Sequence, residues 1–173
     1  MMIPPLRKFV LAAHLTFSVG WIGAVMAYLA LVIAAMTTLD AQILRSAWIA
    51  MELIGWYVIV PLSIASLLSG LVLSLGTPWG LFQHYWVLIS LVLTIFATLV
   101  LLVHMQTVSF STGAAGESGD ASRSGLQGEL LHAGVGLMVL LVVQVLNVYK
   151  PRGLTSYGRR KQEQRLKSGY NNS

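Results

Sequence analysis

From Leu53 to Gly116 the chain reads LIGWYVIVPLSIASLLSGLVLSLGTPWGLFQHYWVLISLVLTIFATLVLLVHMQTVSFSTGAAG, 64 residues without a formal charge. One helix cannot use such a run, because about 20 residues already cross the hydrocarbon core of a bilayer. Two helices and a turn can. The breaker Gly76-Thr77-Pro78-Trp79-Gly80 divides the run, since glycine and proline interrupt helices and favour turns. The pattern predicts one span over 47–75 and another over 84–107. Pro61 lies inside the first, where it lacks a backbone donor and predicts a kink.

Towards the N-terminus, Phe9 to Met36 adds 28 uncharged residues and predicts a span over 9–36. A cleaved signal peptide carries an apolar stretch of only roughly 7–15 residues, so this one is read as a retained helix. Towards the C-terminus, Leu130 to Tyr149 predicts the fourth span, ended by Lys150-Pro151-Arg152-Gly153. The expected fold is all-α: an integral membrane, antiparallel four-helix bundle, a single domain over 1–153. Composition agrees. The chain is 56% hydrophobic and 10% charged, against about 25% charged in soluble domains. It has no cysteine, which excludes disulfides, thiolate metal sites, iron–sulfur clusters and covalently attached haem.

The net charge of +5 does not signal nucleic acid, because seven of the eleven basic residues lie within positions 150–173. Arg7 and Lys8 precede the first span, whereas the two loops of the other face carry one cation each, Arg45 and Arg123. By the positive-inside rule, both termini are expected in the cytoplasm and the chain in the inner (plasma) membrane. The lipid bilayer is then the one certain partner. Residues 154–173 read as a basic, disordered tail able to touch anionic headgroups. The stretch 110–127, rich in Gly, Ser and Ala, reads as a mobile connector.

Membrane helices turn their polar and small residues towards one another, because lipid is as apolar as leucine. Spacings of three and four residues give four such seams. They are His14, Ser18, Trp21, Val25, Tyr28; Glu52, Trp56, Ile59, Ser63, Ser66, Gly70; Ser90, Thr94, Ala97, Leu101, His104; and Glu129, His132, Gly136, Val139, Val143, with Asn147 beyond. With alternating directions, Glu52, His104, Glu129 and His132 fall in the outer third, and His14, Ser90 and Asn147 near the inner end. Ionisable groups inside a span usually face the bundle interior and mark function. Each alone also reads as an interfacial side chain, and Glu129 as compensation of a helix dipole. His84 sits with Phe82, Tyr85 and Trp86, the composition of an aromatic belt.

Histidines on facing helices suit b-type haem. The expected axial ligands are His104 and His132, with His14 as ligand or polar partner at an inner site. His84 would join His14 there if the third helix turns further. The expected function is a membrane haem b redox protein exchanging electrons with a quinone or another membrane redox protein. Whether it is an enzyme, an oxidoreductase, stays open. The alternative is a copper or zinc site built from Glu52, His104, Glu129 and His132, or a non-catalytic membrane subunit.

His14-Leu-Thr-Phe-Ser-Val-Gly-Trp21-Ile-Gly23, with Arg7 and Lys8 before it, resembles the first helix of the copper-resistance-D-like membrane superfamily. That group includes a membrane-bound protoporphyrinogen oxidase whose first helix has a histidine followed seven residues later by tryptophan. The stretch from Ser74 to Trp86 resembles uncharacterised integral membrane proteins of the same superfamily. The resemblance covers residues 5–110 and implies four helices, copper, haem or porphyrin chemistry, and His14 as the family histidine. At Ser90 the chain departs from such relatives, which tend to carry a lysine there, and the departure counts against the oxidase activity.

Overall fold

The computed structural model of the chain describes residues 2–76, 81–114, 119–151 and 153–170. Its elements are α1 (Pro4–Thr37), α2 (Ala41–Gly76), α3 (Tyr85–Ala114), α4 (Gly119–Tyr149) and α5 (Ser156–Tyr170). Helices α1 to α4 are each long and apolar enough to cross a membrane, and the chain is a multi-pass, all-α membrane bundle. Around the bundle α1 packs against α2 and α4, and α3 packs against the same two. The start of α1, the end of α2, the start of α3 and the chain leaving α4 lie at one end of the bundle, the terminal end; the other is the hairpin end.

Helix α1 begins with Pro4 and Pro5 in its first turn, where a missing N–H costs nothing. It buries Trp21, Val25, Tyr28, Val32 and Ala35, an alternating spacing of four and three that keeps one stripe facing its neighbours. Val19, Met26 and Ile33 on the other side are exposed, as a lipid-facing surface requires. The α1–α2 turn is fixed by Asp40, whose carboxylate accepts from the backbone N–H of Gln42 at 2.7 Å and caps α2.

Helix α2 carries the expected irregularity, in a specific form. Residues Gly55–Ile59 make a π turn, with Val60 N–H donating to Gly55 O. Pro61 follows at once and has no N–H to return to Tyr57, so the hydrogen-bond ladder is loosest here. A π turn holds one residue more than the α turn it replaces. From Ile59 on, the buried positions include Ser63 and Ser66, as expected; before it they include Leu44, Trp48, Met51 and Gly55. The expected seam of Trp56 and Glu52 is therefore displaced by one residue. Trp56 is 38% exposed, and its indole N–H donates to Ser109 Oγ at 3.0 Å.

Two segments expected to be irregular are helical. The 110–127 stretch belongs to α3 as far as Ala114 and to α4 from Gly119; positions 115–118 lie outside the described residues. Leu126, 2% exposed, anchors the start of α4 in the core, and that burial outweighs the weak propensity of Gly and Ser. In the tail, Thr155 caps α5: its hydroxyl accepts from Gly158 N–H at 3.0 Å. The following Arg, Lys, Gln and Glu residues favour helix. The tail is docked as well as folded. Thr155 N–H donates to Gln83 O at 3.0 Å, Tyr85 N–H to Gly153 O at 3.3 Å, and His84 pairs with Leu154 in an antiparallel bridge.

Candidate functional sites at the two ends of the bundle

Glu129 is the most buried ionisable side chain among the described residues, 3% exposed. The α1 stripe that buries Trp21 and Val25 carries Tyr28 inward, and Tyr28 OH donates to Glu129 Oε2 at 2.7 Å. From α3, His104 Nε2 shares a 2.8 Å hydrogen bond with the same oxygen. Three residues on from Glu129, and so on the same helical face, His132 stacks on His104 with ring centroids 3.6 Å apart and planes 12° apart. The structure thus brings together His104, Glu129 and His132 at the hairpin end. It adds Tyr28, whose seam position was the only sequence signal for it.

Glu52 does not join them. The π turn rotates it off the seam, and no hydrogen bond or ion pair connects it to the cluster among the described residues. Nor, among the described residues, is any set of three or more histidines and carboxylates arranged to hold one metal ion. The stacked imidazoles turn their faces to each other. Two histidines holding one haem would each aim a nitrogen at its iron, so the stacked pair would have to come apart before His104 and His132 could share that role. As it stands, the group can hold or pass a proton along a phenol, a carboxylate and an imidazole.

At the terminal end a cavity of about 610 Å³ opens between all four spans. His14, Ser90 and Asn147 line it, joined by Arg7, Gly70 and Thr94. His14 is held by α2. Its Nδ1 lies 3.1 Å from Ser66 O and 3.0 Å from Ser69 Oγ. A carbonyl only accepts, so Nδ1 carries the proton and Nε2 is left with its lone pair. The Ser69 hydroxyl is already spent on the carbonyls of Ala65 and Ser66, so it too accepts from Nδ1. Gly70 makes room for the ring: a Cβ there would sit 3.0 Å from His14 Cε1. Ser18, one turn on, hydrogen-bonds Ser66 Oγ at 2.8 Å and braces the same contact.

Ser90 is 6% exposed, lines this cavity, and its hydroxyl has no hydrogen-bond partner. An orphaned buried hydroxyl costs about 1–3 kcal/mol, a cost that a bound group could relieve. His84 stays outside this cavity, on the far side of Trp86, with the two rings 6.3 Å apart.

The residues at the terminal end fit a haem. They supply an imidazole of fixed tautomer, a glycine beside it, a cation at the rim and a cavity whose volume falls in the usual range for cofactors. No protein-family model matches the chain, and no match was found among curated proteins or solved structures.

Proposed function

We propose that this chain is a membrane redox protein that binds haem b in the terminal-end cavity, where His14 Nε2 would hold the iron. One observation carries the reading. His14 donates its Nδ1 proton to the Ser66 carbonyl, the arrangement that orients a metal-binding histidine and raises its basicity. Arg7 at the rim suits a carboxylate of the macrocycle, and Ser90 offers a free hydroxyl inside. The resemblance of the His14–Gly23 stretch to the copper-resistance-D-like superfamily, which implies copper, haem or porphyrin chemistry, points to the same residue.

Haem bound there supplies one-electron transfer. The chain's own part is to orient the imidazole, exclude water with the four spans, and present the redox centre at one membrane face. By the distribution of Arg and Lys, that face is the cytoplasmic side of a plasma membrane, with a quinone or a second membrane redox protein as electron partner. This reading puts the ligand at His14, because His14 borders a cofactor-sized cavity while the His104 and His132 rings lie stacked face to face.

The test is the absorption spectrum of the purified protein, oxidised and then reduced, from cells supplied with haem precursor. Wild type should show a Soret band that sharpens on reduction. His14→Ala should lose it, while His104→Ala and His132→Ala keep it. The reverse pattern would move the haem to the hairpin end, and a colourless wild type would reject haem altogether.

A further inference from the structure

A second cavity, about 630 Å³, lies outside the bundle interior at the terminal end. Its floor is the start of α3, with Gln83 and Trp86; its walls are the chain leaving α4 and the docked tail helix α5. Two lysines border it from different elements. Lys150 follows α4 directly, where a positive φ of 45° turns the chain out of the helix. Lys161 comes from the second turn of α5, its ammonium 5.8 Å from the centre of the Tyr157 ring. Gln162 adds an amide beside it.

The docking that shapes this cavity is specific. Gly158 is buried against the Gln83 carbonyl, leaving no space for a side chain. Thr155 ties the start of α5 to Gln83 and Phe82. The depth is marked independently. Phe82, Tyr85, Tyr149 and Tyr157 are all exposed around the site, and exposed aromatic rings of a membrane protein collect at the headgroup level.

Two lysines from separate elements, an amide donor and an aromatic rim at headgroup depth make a site for a singly charged phosphodiester. We infer that this cavity seats the headgroup of one anionic glycerophospholipid, with Lys150 and Lys161 on the phosphate and the acyl chains lying against the aromatic rim. A free phosphate would find the same cations. It would gain nothing from the ring of exposed aromatics, and that difference favours the lipid.

The experiment uses the full chain in nanodiscs of phosphatidylcholine containing a minor fraction of phosphatidylglycerol, with lipids retained on the protein counted by native mass spectrometry. Wild type should retain one phosphatidylglycerol in preference to phosphatidylcholine. Lys161→Gln, which does not border the haem cavity, should weaken that preference about fivefold, the effect of one lysine at a membrane surface. Arg160→Gln removes the same charge from an exposed position of α5 that does not line the cavity, and should leave the preference intact. Equal loss in both variants would mean diffuse attraction by the tail and would overturn the site. So would no preference in wild type, or full displacement of the lipid by millimolar inorganic phosphate. Because wild type alone can fail the first comparison, a misfolded variant does not rescue the proposal.

Discussion

One oxygen of one side chain organises the hairpin end. Glu129 Oε2 takes both the Tyr28 hydroxyl and the His104 ring nitrogen, so removing the carboxylate strands two partners while removing Tyr28 strands none. Glu129→Leu should therefore destabilise the bundle by about 2–3 kcal/mol, and Tyr28→Phe by only about 0.5–1 kcal/mol. Glu129→Gln, which keeps an acceptor, should fall between them. Unfolding in mixed micelles by titration with SDS measures all three; equal losses for Tyr28→Phe and Glu129→Leu would mean that burial, not hydrogen bonding, sets the cost. At this scale the sequence was partly legible. His104, Glu129 and His132 could be placed at one depth because three-and-four spacing and span direction fix depth and face. What spacing cannot give is side-chain rotation. The stacking of His104 on His132 and the hold of Ser66 and Ser69 on His14 come from the packing of helices far apart in sequence.

Helix ends and one helix interior account for the differences between sequence and structure. The four spans were legible because long uncharged runs are decisive in a membrane. The π turn was not, since Pro61 announces a disturbance without saying whether a residue is gained there. Nor was the tail helix, whose signal is the short pairing of Thr155 with Gly158 ahead of a polar run. Two glycines now separate two kinds of close approach. At Gly158 an added Cβ meets the Gln83 backbone; at Gly55 it meets the flexible thioether end of Met105. Gly158→Ala should undock α5 and raise trypsin cleavage at Arg159 and Arg160 roughly tenfold, as expected when a local opening becomes more populated. Gly55→Ala should change bundle stability by less than about 1 kcal/mol, because methionine yields. Tail cleavage unchanged by Gly158→Ala would show that α5 is not held where the structure puts it.

Taken whole, the molecule is a four-span bundle with a cofactor-sized cavity at one end, a hydrogen-bonded acid and histidine group at the other, and a tail helix outside. Thr155, Leu154 and Gly153 hold that tail through residues 82–85. A chain ending after Lys150 should therefore keep its spans and, if haem is bound at His14, its spectrum; loss of the Soret band on truncation would mean the tail closes the cavity. The π turn has a consequence for tracing this protein's ancestry. Because Gly55–Ile59 holds one residue beyond a regular helix, it is equivalent to a single codon inserted into the gene for an unbroken span. A homologue without that codon will line up with both halves of α2 only if one gap is opened between positions 55 and 59. A gapless comparison would pair every residue from Ala41 to Ile54 with its neighbour's counterpart and set the wrong position opposite Glu52.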